Sequence, residues 1–227
     1  MLASELTIWQ LADSAFPSGM YTLSHGLEGY AQEGAIEADD VPALLCDLLR
    51  HTIGPTDGTA LALAHRGATS GDWDLVRQAD ERLYASKLTS EARRATLRIG
   101  RQLLPVCGEV FPSSRVSQLA MLVSTGRVAG TQPVVTGVVY AGAGVPRRQA
   151  VAADLFAFST SFAGAALRLR LVDHLGAQRL VRGAVPTIES EAHRATGAGL
   201  EEVGASAPLV DVMCARHEQA RAKLFAS

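Results

Sequence analysis

Residues 11–34 read LADSAFPSGMYTLSHGLEGYAQEG, and their pattern predicts a first helix, a turn and a second helix. Pro17 disfavours helical backbone in the residue before it, so the first helix is expected to end just before that position. Gly19 can adopt the positive φ that a tight turn requires. Ser24 is a suitable N-cap for the second helix, and Thr22 is an alternative cap. The chain therefore begins with a helical corner.

Apolar residues recur at helical spacing along most of the chain, and no stretch alternates like a strand for more than a few residues. This pattern predicts an all-α, single-domain multi-helix bundle of about ten helices over residues 1–227. A helix over residues 146–174 is expected to be the longest and to form the buried centre, because it is apolar on nearly every side. Breaks or kinks are predicted at Gly54-Pro55, Pro105, Gly176 and Pro186.

The composition is typical of a globular helical protein. Hydrophobic residues make up 48% and charged residues 19% of the chain, whereas aromatic residues make up only 5%. The formal net charge of −2 does not favour a nucleic-acid or anionic membrane surface as a partner. Three distant cysteines favour a reducing compartment. Since the N-terminus also lacks a secretory pattern, we expect a cytoplasmic protein.

Two uncharged apolar runs, residues 128–146 and 155–167, are expected to be helices inside the bundle. The first contains two prolines and four glycines, and the second is too short to span a bilayer. The sequence therefore predicts no membrane contact.

Motifs for catalysis or metal binding are not found. The sequence has no phosphate-binding loop, no H-E-x-x-H and no G-x-S-x-G motif. The histidines are scattered singly, although a metal site that joins His25 or His217 to a cysteine by tertiary contact stays open. Glu28 lies between Gly26 and Gly29, where a bare backbone leaves room for close approach, but it has no acid–base partner nearby in sequence. We therefore expect no catalytic residue, no metal and no cofactor.

The helical corner carries a family signature. It follows the pattern P-x-G-x-x-x-x-S-x-G-L-E, with Tyr21 as an aromatic residue shortly after the first glycine. This pattern resembles the N-terminal signature of the UreF family, the urease accessory proteins. The matching positions are Pro17, Gly19, Ser24, Gly26, Leu27 and Glu28.

The C-terminal residues resemble the ending of the same family. The chain reads ARHE at 215–218 and KLFAS at 223–227, where the family pattern is A-R-H-E-x-x-x-x-R-L-F-x-S. Lys223 replaces the usual arginine, which keeps the charge but loses the forked geometry. Weaker similarities lie at residues 91–100, 133–137 and 165–169 and at Gly176.

The resemblance implies an all-helical, dimeric, non-catalytic helper in the insertion of nickel into urease. The family binds the accessory protein UreD, also called UreH, and the GTPase UreG, and the assembly acts on the urease apoprotein. By resemblance, the signature residues of the corner are assigned to a surface that faces a partner or shapes a dimer. Arg168 is assigned to the UreG side. The residues assigned to a UreD-docking tail are His217, Glu218, Leu224, Phe225 and Ser227.

The C-terminal segment 197–227 is expected to be mobile or loosely packed, because residues 197–208 are rich in Gly, Ala and Ser. Its apolar end leaves two interpretations open: the tail folds onto its own core, or it waits for a partner. If it waits, removal of residues 216–227 is expected to shift the melting temperature by only about one or two degrees.

Two alternatives to the family function remain. One is a helical enzyme, or a small-ligand or metal-binding protein, with a pocket built from His25, Glu28 and Arg168. The other is a helical adaptor unrelated to urease.

Overall fold

Helix follows helix along residues 2–226, the part of the chain that the computed structural model describes. These residues contain eleven α-helices and no β-strand, which confirms the all-α prediction. A π-helical segment, Leu49–Gly58, joins the third α-helix to the fourth without a break. The α-helices are α1 (Leu2–Ala12), α2 (Leu27–Gln32), α3 (Val41–Leu48), α4 (Thr59–Ser70), α5 (Trp73–Ser86), α6 (Ser90–Val110), α7 (Ser114–Ser124), α8 (Gln132–Gly142), α9 (Arg147–Arg168), α10 (His174–Gly197) and α11 (Pro208–Glu218).

Three helices start at polar N-cap residues. Asp72, Thr89 and Ser113 each accept a hydrogen bond from the backbone N–H three residues further on, at 3.0, 3.3 and 3.2 Å respectively. These bonds satisfy amides that the first turn of a helix leaves unpaired. α5, α6 and α7 therefore begin where the polar residues of the sequence indicate.

The predicted helix ends at prolines are wrong, whereas a kink at Pro105 stays a prediction. α6 continues through Pro105, α10 continues through Pro186, and the π-helical segment contains Pro55. A proline inside a helix leaves the carbonyl four residues earlier without its usual donor. For Pro105 and Pro186 those carbonyls belong to Arg101 and Arg182, which are exposed, so water can supply the missing donor.

The region around Gly176 also differs from the prediction. α9 ends at Arg168 instead of near residue 174, and Arg170 then takes a left-handed backbone conformation with a φ of 60°. Asp173 caps α10 by accepting a hydrogen bond from the Gly176 N–H at 2.6 Å. Gly176 therefore lies in the first turn of α10, whose 24 residues make it longer than the 22-residue α9.

The most deeply buried helix is α8. All of its residues up to Ala141 are buried, whereas α9, predicted for the centre, leaves Phe156 and Leu167 exposed. α8 packs closely against α4, since a Cβ atom on Gly137 would lie 2.6 Å from the Leu61 carbonyl oxygen. The small residue lets the two helix backbones approach closely.

Among residues 2–226, α9 is the one helix with enough length and apolar composition to cross a membrane. In the structure 61% of its most apolar window is buried inside the protein. The core helix of a bundle meets the same criteria, so this property is only weak support for a membrane span.

The last helix brings the two ends of the chain together, because α11 packs against α2 and α6. Between α10 and α11, Val203 is buried, and the Ser206 N–H donates to the His51 carbonyl at 3.3 Å. α11 ends at Glu218. The mobility of residues 197–227 stays a prediction.

Candidate docking site at the joined chain ends

The connection between the first two helices is longer than predicted. α1 ends at Ala12, before the residue that precedes Pro17, and α2 begins at Leu27 instead of Ser24. Gly19, His25 and Gly26 have positive φ angles of 81°, 57° and 86°. Glycine adopts this backbone without strain, so conformation accounts for both signature glycines.

Two glycines let α11 approach the corner closely. A Cβ atom on Gly26 would lie 3.0 Å from the Cys214 Sγ, and one on Gly29 would lie 2.5 Å from the Met213 carbonyl oxygen. A side chain at Gly29 would force the two backbones apart, and one at Gly26 would crowd Cys214 and strain a backbone with positive φ. The bare backbone beside Glu28 therefore accommodates the last helix of the same chain.

Glu28 joins the corner to the tail. It lies in the first turn of α2 and is 4% exposed. Its Oε1 accepts hydrogen bonds from the Leu224 N–H at 2.7 Å and from Gln32 Nε2 at 3.2 Å. Its Oε2 accepts from the Phe225 N–H at 3.0 Å and lies 2.8 Å from His217 Nε2. One buried carboxylate thus holds both the tail backbone and a side chain of α11.

His217 is 1% exposed and contacts a carboxylate with each ring nitrogen. Its Nε2 faces Glu28, and its Nδ1 lies 2.8 Å from Glu91 Oε2. An ionised carboxylate only accepts hydrogen bonds, and a neutral imidazole has a single N–H. Both contacts are hydrogen bonds when both nitrogens carry a proton, so the geometry favours a charged imidazolium between two carboxylates.

Lys223 completes the charge balance. Its Nζ donates to Glu91 Oε1 at 2.5 Å and to the Glu218 carbonyl at 3.0 Å. Two cations then face two carboxylates, which offsets part of the cost of burying charge. We call Glu28, Glu91, His217 and Lys223, with the backbone of residues 224–226, the terminal junction.

Glu218 fixes the end of α11 to the start of α6. Its Oε1 accepts hydrogen bonds from the Ser90 hydroxyl at 3.0 Å and from the Glu91 N–H at 2.6 Å. These bonds, chiefly the one from the Glu91 backbone, hold the pKa of Glu218 below its usual value. The free amides of a helix N-terminus favour a negative charge in this position.

The tail buries one of its two large apolar side chains and presents the other. Phe225 is 4% exposed, and the Arg168 guanidinium carbon lies 4.3 Å from its ring centroid, a cation–π contact. The Ala226 N–H donates to the Thr22 carbonyl at 2.9 Å. Leu224, in contrast, is 63% exposed. Phe225 therefore belongs to the core of its own chain in this structure.

The other assigned residues of the corner fall into two groups. Ser24 and Leu27 are fully buried beside Glu28. Pro17 and Gly19 instead contact Gln102, near the middle of α6. The Pro17 carbonyl accepts a hydrogen bond from Gln102 Nε2 at 2.9 Å. The later signature residues thus lie at or beside the terminal junction, as does Arg168 through its contact with Phe225. The first two signature residues lie in the turn.

Sequence reasoning does not assign Glu91 to the site. Glu91 begins the stretch 91–100 that resembles the family, but an acidic residue in the first turn of a helix is common, so the sequence gives it no role in the site. Lys223 stands out in the sequence only as a departure from the family pattern. The remaining assigned residue, Ser227, lies outside the described residues.

From the sequence, a metal or small-ligand site remains an alternative. In the structure the three residues of the candidate pocket, His25, Glu28 and Arg168, have other contacts. In the described chain no group of three or more His, Cys, Asp or Glu side chains is arranged to hold a metal ion. His25 Nε2 lies 3.0 Å from Ser161 Oγ, while Glu28 and Arg168 contact the tail. Burial lowers the pKa of His25 to about 4, so its imidazole is neutral at physiological pH.

The fold and the junction define an all-helical protein whose signature residues bind its own C-terminal segment and thereby shape one surface. The family model UreF matches residues 36–185, which is the body of the bundle. The two ends that form most of the junction lie outside the matched region.

Relatives extend the similarity to both ends. Urease accessory protein UreF of Trichodesmium erythraeum is 34% identical over 227 residues, covering 100% of this chain and 98% of the relative. Urease accessory protein UreF of Paenarthrobacter aurescens is 33% identical over 224 residues, 98% of each chain. Urease accessory protein UreF 2 of Brucella canis is 29% identical over 220 residues, 97% of this chain and 90% of the relative. The chain therefore belongs to the UreF family of urease accessory proteins.

Proposed function

We propose that this chain is a non-catalytic urease accessory protein that bridges UreD, also called UreH, and the GTPase UreG for nickel delivery to the urease apoprotein in the cytoplasm. Family membership supports a role in urease maturation. The observation that supports docking is the terminal junction, which holds an exposed apolar tail residue on a buried, hydrogen-bonded frame.

The proposed UreD surface centres on Leu224 and Tyr21. Leu224 is 63% and Tyr21 64% exposed, and the hydrogen bond from Ala226 to Thr22 lays their segments side by side. Large apolar and aromatic side chains are frequent anchors of protein interfaces. Since the junction already orders them, binding costs less conformational entropy than it would for a free tail. In this proposal the junction residues and Phe225 position the surface.

Leu224→Asp tests the UreD surface. An exposed side chain contributes little to folding, whereas burial of one leucine in an interface is worth about 1.5–3 kcal/mol, or roughly tenfold or more in affinity. Titration with purified UreD measures the loss. Met121→Asp is the matched control, because it introduces the same charge at an exposed apolar residue elsewhere, on α7. Full UreD affinity of the Leu224→Asp variant would place the docking surface elsewhere.

Arg168 is proposed to lie on the UreG side. Because its guanidinium contacts Phe225, a UreG surface that includes Arg168 would adjoin the UreD surface. Arg168→Ala is then expected to weaken recruitment of UreG to the UreD-bound complex more than it weakens UreD binding. If Arg168→Ala weakened UreD binding more than UreG recruitment, Arg168 would belong to the UreD surface instead.

We also propose that the chain forms a homodimer. No residue of α1, from Leu2 to Ala12, is buried, and its Leu2, Leu6 and Trp9 side chains share one face. They are 65%, 49% and 63% exposed, and a second copy of the same face would cover them.

Light scattering tests the dimer. The wild type is expected to be a dimer and Trp9→Glu a monomer, while Gln10→Glu, an exposed position on the same helix, keeps the dimer. A wild type that stays monomeric at high micromolar concentration would contradict the proposal.

A further inference from the structure

A cavity of about 350 Å³ lies between the two hydrophobic clusters of the core. Leu48 and Phe158 of one cluster and Leu23 and Ile99 of the other form apolar parts of its wall. A volume of this size lies within the range of small-molecule binding sites. The π-helical segment forms another part of the wall, and π-helical turns occur frequently at functional sites.

The cavity reaches the surface beside the loop that follows α5. Leu88 in this loop is 63% exposed, and Gly204 and Ala205 in the segment before α11 are exposed as well. All three residues line the cavity, so a small molecule can enter between the two segments.

Lys87, a cation at the wall, is already paired. Its Nζ donates to Asp57 Oδ2 at 2.5 Å, and both side chains are largely buried. The Thr56 hydroxyl donates to the same carboxylate oxygen at 2.6 Å. An incoming anion would have to displace Asp57 to reach this lysine.

Asp154 differs from Asp57 in that no ion pair among residues 2–226 includes it. It lies on α9, is 6% exposed and lines the cavity. Its Oδ1 accepts a hydrogen bond from Gln132 Nε2 at 2.7 Å. Burial raises its pKa to about 7, although the bond from Gln132 acts in the opposite direction.

The titratable groups around the cavity leave an excess of negative charge. The acidic side chains are Asp57, Glu91, Asp154 and Asp211, and the basic ones are Lys87 and His25. His25 is neutral at physiological pH, and burial raises the pKa of the Cys214 thiol to about 11, so it is neutral too. Glu91 is balanced within the terminal junction. Asp57 is paired with Lys87, so Asp154 and Asp211 are the two carboxyl groups at the wall that can accept a new cation. Asp154 is the more deeply buried of the two, so a cation inside the cavity is expected to pair with it.

We propose that this cavity binds a small organic cation, an apolar alkylamine or arylalkylamine whose protonated amine pairs with Asp154. The apolar wall receives the hydrocarbon part, and the excess of carboxyl groups selects against anions. This site is separate from the proposed docking role and does not depend on it.

The pairing has a pH signature whose sign follows from Asp154. Below a pKa of about 7 this carboxyl group is neutral and attracts a cation weakly, and above it the carboxylate attracts the cation strongly. The amine stays protonated over this range, as a lysine with a pKa of about 10.4 does. Affinity is therefore expected to rise by up to about tenfold between about pH 6 and about pH 8.

Calorimetric titration of the full chain with benzylamine tests the proposal, with benzyl alcohol and benzoate as probes of the same size. Benzylamine is expected to bind at least about tenfold more tightly than either probe at pH 8. Near pH 7 its binding should release protons from Asp154, which shows as a dependence of the measured heat on the buffer.

Two variants locate the site. Asp154→Asn keeps an oxygen that can accept from Gln132 and is expected to remove both the preference for the amine and the pH dependence. Ala205→Trp narrows the opening at an exposed position and is expected to block binding, while Ser206→Trp next to it is the control. Because Ala205 is exposed, this variant tests the site even if Asp154→Asn does not fold.

Three results with the wild-type chain would overturn the proposal. They are equal binding of all three probes, benzylamine binding that does not change with pH, and no detectable benzylamine binding at concentrations on the order of 10 mM. Unchanged affinity in the Ala205→Trp variant would likewise show that benzylamine binds elsewhere.

Discussion

The terminal junction and the α4–α8 interface are both buried, but different interactions hold them. In the junction, charged side chains from residues 28, 91, 217 and 223 meet, and each carboxylate faces a donor. In the interface, Gly137 brings two helix backbones into contact, and the surrounding side chains of α8 are mostly apolar. The junction therefore depends on matched charges, and the interface depends on shape.

This difference predicts how each region responds to substitution. Removing one member of a buried charge network leaves its partners uncompensated, which costs more than the network itself contributes. Adding one methyl group to a close-packed interface costs the displacement of a backbone. The junction should consequently be the region where single side-chain changes have the largest effect.

His217→Leu is expected to have the largest effect of the changes considered. It leaves the Glu28 and Glu91 carboxylates without the cation between them, and the loss should be about 3–5 kcal/mol of unfolding free energy. Urea denaturation measures it, and His193→Leu, at an exposed position of α10, is the control. A loss below about 1 kcal/mol would mean that the junction is not held by the imidazolium.

Removal of residues 219–227 comes next. It removes the two tail amides that donate to Glu28 and the buried ring of Phe225, whose burial is worth about 1.5–3 kcal/mol. For a chain of this length that corresponds to a fall of roughly 4–10 °C in melting temperature, measured by scanning fluorimetry. A shift of only about one or two degrees would instead support the interpretation that the tail waits for a partner.

Gly137→Ala should destabilise the protein by about 1–3 kcal/mol, because the added methyl group meets the Leu61 carbonyl of α4. Gly108→Ala is the matched control. Gly108 also lies inside a helix, but an added Cβ has no neighbour within 4 Å, so alanine should stabilise by up to about 1 kcal/mol. If both variants were equally stable, close approach would not be what requires glycine at position 137.

Much of the fold can be predicted from local signals. Asp72, Thr89 and Ser113 mark helix starts because a cap acts within three residues of itself. The breaks predicted at Pro105 and Pro186 are wrong because exposure to water, a tertiary property, decides whether a helix tolerates proline. Local sequence does not reveal exposure at these positions.

The candidate site could be predicted only in part, and for a related reason. The family signatures at the two ends point to Glu28 and His217 separately, but nothing in the sequence shows that the two side chains touch. Glu91 looks like an ordinary acid at a helix start, and Asp154 looks like a charge beside an apolar run. Their roles depend on side chains that are distant in sequence.

Lys223→Arg is expected to have the smallest effect and sharpens the comparison between charge and shape. Lys223 contacts Glu91 and the Glu218 carbonyl through one nitrogen, which is the geometry of a point charge. If charge alone holds the junction, the arginine of the family pattern should change the unfolding free energy by less than about 0.5 kcal/mol and leave UreD affinity unchanged. Lys223→Gln keeps a donor but loses the charge, and it should lower the unfolding free energy by about 1 kcal/mol. In this variant the two carboxylates, Glu28 and Glu91, have His217 as their one common cation. Equal stability of the glutamine and lysine forms, measured by urea denaturation, would show that the hydrogen bonds suffice and that charge balance does not matter here.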